Sequence, residues 1–332
     1  MAYQSAGIPR FYVNCIEWLM NKDLINFSQI TMNNKDGPQL YRTLPVEPIS
    51  MGMAEEDEFN INSSQFSIPQ YILNEQSFIA LLGLKKSAEF PFTVLSGFGD
   101  YEIIVNGEIS IDPELIGILP TYNGFSIALF DGSDASPATE LSPFFFGDLG
   151  SFIIGTYYDM PHSPDLKLTM TREMDGVKSI RTKGGSDLVN RKYIKPAIWG
   201  DAGAWELYED TPTNHELSRS GRRSWDLSFS YLQDSDIFPD VSSLSNYETI
   251  SPDGSIWEDG MNVTNNTLLT EDTFYSQVIH KTNGGQLPFV FQPDSSNNNI
   301  DGFAIAKFDS GFKFKQVSNG IFNISLKIRE VW

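Results

Sequence analysis

Residues 223–231 read R-S-W-D-L-S-F-S-Y: Trp225, Leu227, Phe229 and Tyr231 alternate with Ser224, Asp226, Ser228 and Ser230. Successive side chains on a strand point to opposite faces. A period of two therefore fits a strand with one buried and one wet face, and does not fit a helix. The signature recurs near the end of the chain, where Ile324, Leu326 and Ile328 alternate with Ser325, Lys327 and Arg329. It recurs again where Leu166, Leu168 and Met170 alternate with Lys167, Thr169 and Thr171. Turn chemistry punctuates these runs. Asn106-Gly107 follows the strand-like run 101–105, Asp131-Gly132 follows the apolar run 124–130, and Asp175-Gly176 follows 165–173. Such pairs supply the positive φ that tight hairpins need. The expected fold class is mainly β, with a minor α component.

One segment has the helical period. Thr270 is placed as an N-cap, and Glu271 and Asp272 fall in the first turn. Phe274 with Val278, and Tyr275 with Ile279, are i,i+4 pairs that build an apolar face. Lys281 belongs to the last turn and Asn283-Gly284 ends the element, so one helix is expected near 270–282. The run FYVNCIEWLM, residues 11–20, fits either a strand or a short helix, and periodicity does not decide. Pro38, Pro45 and Pro48 favour extended chain after it. Residues 1–58 read as an N-terminal arm or linker and 59–175 as a jelly-roll-like β-sandwich. Residues 176–332 read as a second β unit carrying the helix, interrupted by a polar loop over 233–266.

Charge narrows the function classes. A formal net charge of −20 repels nucleic acid and anionic membrane surfaces, so neither is an expected partner. Cys15 is the only cysteine, which excludes an intrachain disulfide and a cysteine-based zinc site. The opening MAYQSAGIPRFYV lacks the basic and apolar regions of a secretory signal, and no run of about 18 apolar residues is present to span a bilayer. The expectation is a protein made in a cytosol that stays soluble.

Catalytic motifs are absent. There is no G-x-S-x-G, phosphate loop or H-E-x-x-H. His162, His215 and His280 have no metal-ligand spacing. His162 has Asp159 and Asp165 nearby, but a turn between strands accounts for all three; His280 reads as a structural group at a helix C-terminus. Asp131 to Asp134 and Asp234 to Asp236 offer oxygen ligands without the spacing of a calcium loop. No catalytic, cofactor-binding or metal residue is assigned, and no cofactor is expected. The densest basic cluster, Arg219, Arg222 and Arg223, is placed at an inter-subunit contact, where guanidinium groups meet carboxylates of a neighbour. Trp199 and Trp205, flanking Gly200-Asp-Ala-Gly203, are placed at the same kind of interface.

The order of elements from residue 180 onward carries a resemblance. RTKGGSDLVNRKY has a Gly-Gly turn and a polar strand, and RRSWDLSFSYL is an amphipathic strand. The helix then leads to Asn283-Gly284-Gly285, PFVFQPD and two closing strands ending in SLKIREVW. This order resembles the distal tail and minor tail proteins of long-tailed bacteriophages. Residues 74–88, NEQSFIALLGLKKSA, resemble the opening of discoidin-like jelly rolls through Phe78, Ala80, Leu81, Leu82, Gly83, Ser87 and Ala88. Leu84-Lys85 replaces that family's usual His-Asn pair.

The resemblance implies a tail-type β-barrel in the C-terminal half and a non-enzymatic virion subunit. That subunit would assemble as a hexameric ring joining tail tube to tail tip or baseplate, contacting tube and hub proteins. A carbohydrate-binding host-recognition protein that uses the jelly roll on host glycans is the alternative. A polysaccharide-degrading tail enzyme is a third.

Overall fold

The computed structural model describes residues 6–24, 31–32, 35–36, 41–44, 49–50, 76–82, 85–86, 95–96, 102–105, 108–109, 116–121, 124–129, 147–192, 198–199, 202–203, 221–239, 268–269, 271–297, 302–309 and 311–331. It is mainly β, as its sequence patterning leads one to expect. Eleven strands share one sheet. They are β1 (Arg10–Asn14), β2 (Ser77–Leu82), β3 (Glu102–Val105), β4 (Glu108–Ile109), β5 (Ser151–Asp159), β6 (Thr169–Glu173), β7 (Arg222–Gln233), β8 (Phe289–Gln292), β9 (Ala304–Phe308), β10 (Lys313–Ser318) and β11 (Ile321–Glu330). Their spatial order is β6-β7-β11-β9-β8-β1-β5-β2-β3-β4, with β10 also paired to β11. The pairs are antiparallel except β2 with β3, where Phe78 lies opposite Glu102.

β1 sits between β8 and β5, deep in this order. Its side chains divide between two cores. Phe11 and Val13 join a cluster with Tyr158, Trp225, Phe289, Phe291 and Phe308, while Tyr12 joins Phe78, Ile153, Val290, Phe303 and Ile305. Both faces of the sheet are therefore covered at its centre. A strand buried on both faces reads as a continuous apolar run, which is why residues 11–20 show no period. The ambiguity resolves into both answers: β1 runs to Asn14 and helix α1 occupies Cys15–Asn21. Asn14 makes the switch, because its side-chain Oδ1 accepts the Glu17 backbone N–H at 3.1 Å. Its Nδ2 donates to the Tyr41 carbonyl at 2.8 Å and to Thr43 Oγ1 at 3.1 Å.

The expected boundaries at residues 58 and 175 do not follow the sheet. The stretch 1–58, read as an arm or linker, contributes β1 and α1 to the interior. β5 and β6 lie before residue 176, yet β6 pairs with β7, and Tyr158 and Met160 pack in the cluster that holds Trp225 and Phe291. Pairing between strands remote in sequence overrides a division read from loop composition.

The alternating strands behave as their pattern dictates, with two corrections. In β11, Phe322, Ile324, Leu326 and Ile328 are buried. In β7, Trp225, Leu227 and Phe229 are buried, but Tyr231 does not share their face. A bulge between Phe229 and Leu232 sets Tyr231 at φ 66 and turns its ring to solvent, and Leu232 takes the core position. The second correction is at residues 166–170. Leu166, Leu168 and Met170 alternate with polar residues, yet all three are exposed. Asp175-Gly176 does not close a hairpin on β6 either, since β6 pairs with β7 and Lys178–Arg181 pairs with Asp187–Asn190. The Asn106-Gly107 signal fits the register, in which Val105 lies opposite Glu108.

The helix expected near 270–282 is a π-helical turn over Tyr275–His280. Thr270 lies outside the described residues. Phe274, Val278 and Ile279 are buried as expected, with Phe274 edge-on to Phe11 at 5.6 Å between ring centres. Asn283, Gly284 and Gly285 follow with φ of 51°, 70° and 84° and end the element. A Cβ on Gly285 would lie 3.0 Å from the Phe308 side chain, so the turn needs a glycine for space as well as for φ. The helix is not alone, since α1 and the short helix Asp234–Ile237 accompany it.

Candidate functional site

Arg222 and Arg223 open β7, and strand pairing decides what they meet. β11 lies on one side of β7 and β6 on the other. Arg223 grips Glu330: its backbone N–H and Nε donate to Oε2 at 2.9 and 3.2 Å, and Nη2 donates to Oε1 at 2.9 Å. Nη2 also donates to the Phe303 carbonyl at 2.6 Å, and the guanidinium lies 5.4 Å from the centre of the Trp225 ring. Arg222 Nη1 lies 3.0 Å from Asp175 Oδ2. Both arginines are thus engaged within the chain rather than free for a neighbour. The reason is register: it brings carboxylates remote in sequence beside them. Arg219 and Trp205 lie outside the described residues. Trp199 falls on the two-residue strand Ile198–Trp199, which pairs with Ala202–Gly203.

A second cluster went unnoticed in the sequence. Lys281 has no exposed surface. Its Nζ donates to Gln277 Oε1 at 2.7 Å and to Thr156 Oγ1 at 3.1 Å. Thr156 donates to the same Gln277 oxygen at 3.1 Å, and Gln277 Nε2 donates to the Glu271 carbonyl at 2.7 Å. The Cys15 thiol lies 3.8 Å from Thr156 Oγ1. Burial pushes the Lys281 amine below the usual lysine range, and the Cys15 sulfur and the Asp272 carboxylate oppose that shift. A buried amine of this kind is chemically poised elsewhere as a nucleophile or base. Here it meets no solvent, and its bonds tie the helical turn to β5. Periodicity has no access to such a group, because Thr156 comes from β5 and Cys15 from α1, both remote in sequence.

The pH behaviour of this lysine follows from the direction of its shift. Its native value lies below its ordinary 10.5, so between the two the unfolded chain holds a proton that the native chain has lost. Stability from this group is fully present above the ordinary value and is lost as pH falls through the native one. Lys281→Met keeps the Thr156–Gln277 bond and removes a buried titratable amine. We expect a change within about 1 kcal/mol of neutral, in either direction, and loss of the alkaline rise in stability. Urea midpoints at stepped pH check this, and persistence of the rise in Lys281→Met would assign it to another group.

His162 and His280 meet different partners, and His215 lies outside the described residues. His162 Nδ1 lies 2.7 Å from the Ser163 carbonyl, Asp159 is held by Arg10 at 2.6 and 2.7 Å, and Asp165 accepts from the Ser230 hydroxyl at 2.8 Å. The turn reading suffices for this trio. His280 packs edge-on against Trp18 at 5.3 Å, and burial followed by the charges of Lys22 and Lys281 depresses its pKa. Desolvation thus outweighs any benefit of a cation at the helix C-terminus. Asp236 Oδ2 accepts the Gln233 N–H at 3.0 Å, a capping role, and Asp131 to Asp134 lie outside the described residues. Among the described residues no group of three or more histidine, cysteine, aspartate or glutamate side chains is placed to hold a metal ion. No helix among them is long and apolar enough to cross a membrane.

The surface feature that stands out is residues 166–192, where no side chain is buried. Eight large apolar side chains are exposed there: Leu166, Leu168, Met170, Met174, Val177, Ile180, Leu188 and Val189. β6 forms the first part of this segment, and the hairpin of Lys178–Arg181 with Asp187–Asn190 forms the rest. The Gly184-Gly185 turn expected from the sequence closes that hairpin, with Gly185 at φ 84. No family model matches the chain, no curated protein matches its sequence and no solved structure matches its fold.

Proposed function

We propose that this chain is a structural subunit of a bacteriophage tail, of the distal-tail or minor-tail kind, and acts by geometry rather than catalysis. The observation that carries this reading is the order of elements after residue 220. An amphipathic strand, β7, precedes the helical turn 275–280, the left-handed turn Asn283–Gly285, the strand of PFVFQP and the closing β9, β10 and β11. The resemblance to the tail family rests on that order with two closing strands, β9 and β11; β10 is a further strand that it does not include. In this reading copies assemble into a hexameric ring between tail tube and tip or baseplate.

Purified particles from the producing host test the proposal. Antibody raised against the chain should label the tail tip in negative-stain images, and the chain should be a stoichiometric component by mass spectrometry. Its absence from purified particles would overturn the reading. Enzymatic turnover of a host polysaccharide by the purified chain would overturn the non-catalytic role.

A further inference from the structure

We infer that residues 166–192 are a basic, apolar arm that docks on the acidic body of a second copy of this chain. The first support is coverage. A two-stranded hairpin alone is marginal in water. The hairpin here has apolar groups on both faces: Ile180 lies opposite Leu188 on one, and Val189 lies on the other. Nothing in the described chain buries any of them; Ile180 and Leu188 are 64% and 63% exposed. β6, at the base of the arm, is the terminal strand of the eleven-stranded sheet among the described residues. A terminal strand with uncovered apolar side chains is a surface that natural proteins cover or blunt.

Charge identifies the occupant. Residues 166–192 carry seven lysines and arginines against three carboxylates, a formal +4. The rest of the chain carries sixteen against forty, a formal −24. Two of the arm's three carboxylates are committed to cations outside it. Glu173 pairs with Arg329, Asp175 with Arg222, and Asp187 lies 4.0 Å from Arg181. What the arm offers to a partner is therefore cationic and greasy, and the body of this same chain is the acidic surface it complements. Two acidic bodies repel, and an arm of opposite charge offsets that repulsion while fixing orientation. The contact is heterologous, arm to body, so each copy keeps one arm and one body free for the next until a ring closes. The contact rests on this surface chemistry, and only its closure into a ring rests on the proposed tail function.

The test uses the full chain in sedimentation velocity over a concentration series at low and high salt. The wild type should self-associate, with a dissociation constant rising about tenfold or more as salt screens the contact. Ile180→Asp with Leu188→Asp should weaken association by about thirtyfold or more, as loss of an interface anchor does. Its circular dichroism melt should match wild type, because neither residue is buried. Lys178→Glu with Lys183→Glu should weaken association at low salt and match wild type at high salt. A wild type that stays monomeric throughout, or unchanged association in Ile180→Asp with Leu188→Asp, would overturn the inference. Particle content separates this from the tail proposal. A chain present in virions whose arm variant still assembles removes the arm alone, whereas an arm-dependent oligomer absent from virions removes the tail role alone.

Discussion

Gly155→Ala should prevent the chain from folding. Gly155 lies on β5, opposite Asn14 of β1 and Phe78 of β2, near the middle of the sheet. A Cβ built there collides with the backbone carbonyl oxygen of Val13, and its next neighbours are also backbone, the Val13 carbonyl carbon at 2.8 Å and the Cys15 nitrogen at 3.1 Å. No rotamer change relieves a backbone collision. β1 would have to move, and β1 carries Phe11, Tyr12 and Val13 into both cores. A loss above about 4 kcal/mol is expected, which rivals the whole stability of many domains. Gly184→Ala is the control. Its Cβ would meet only the Thr182 hydroxyl at 4.0 Å, so a shift within about 0.5 kcal/mol is expected. Soluble yield and thermal unfolding by circular dichroism read both variants. A Gly155→Ala protein melting within about 3 °C of wild type would refute the steric argument.

Gly155 also marks where the sequence stops informing. The run 151–160 is legible as a strand, but nothing local says that its neighbour is residues 10–14, which lie 141 positions away at the Asn14–Gly155 pair. Strand existence follows from local pattern, and strand order does not. β7 and β11 were legible because one face of each is wet, which imposes alternation. β1 was not, because it is covered on both faces. Residues 166–170 show the converse failure. They alternate as a half-buried strand does, yet no layer among the described residues lies against them. Alternation reports that a face needs covering, and says nothing about whether the same copy covers it. If the arm docks as inferred, the sequence pattern there was written for a neighbour.

The helix shows a milder limit. Its apolar pairs Phe274–Val278 and Tyr275–Ile279 were legible, and Phe274, Val278 and Ile279 are buried. The π-helical turn was not legible, and Gln277 and Lys281 are buried beside Thr156 as well. Charge bias along the chain, on which the inferred arm rests, is a signal that motif reading passed over. The excess of cations in 166–192 against an acidic remainder is visible in the sequence alone. Reading Arg219, Arg222 and Arg223 as the basic site favoured density over total charge. The pairing of β7 with β6 and β11 then committed Arg222 and Arg223 to partners inside the chain.

Arg223→Ala should cost the fold about 3–5 kcal/mol and should not act through assembly. The pair it breaks is nearly dry, with side-chain exposures of 12% for Arg223 and 6% for Glu330. Removing the guanidinium leaves the Glu330 carboxylate with the Arg223 backbone N–H as its remaining partner from that residue, and takes a donor from the Phe303 carbonyl. Most of the cost is that of a buried charge left short of partners, so removing both partners should restore much of it. Arg223→Met with Glu330→Leu is expected within about 2 kcal/mol of wild type, closer than either half of the cycle. Glu173→Ala removes a more exposed pair with Arg329 and should cost about 1 kcal/mol or less. Urea denaturation of wild type, Arg223→Met, Glu330→Leu and the double variant at one salt concentration measures the cycle, with Arg223→Ala and Glu173→Ala read alongside. Arg223→Ala with wild-type stability and impaired self-association would return this arginine to the interface first assigned to it.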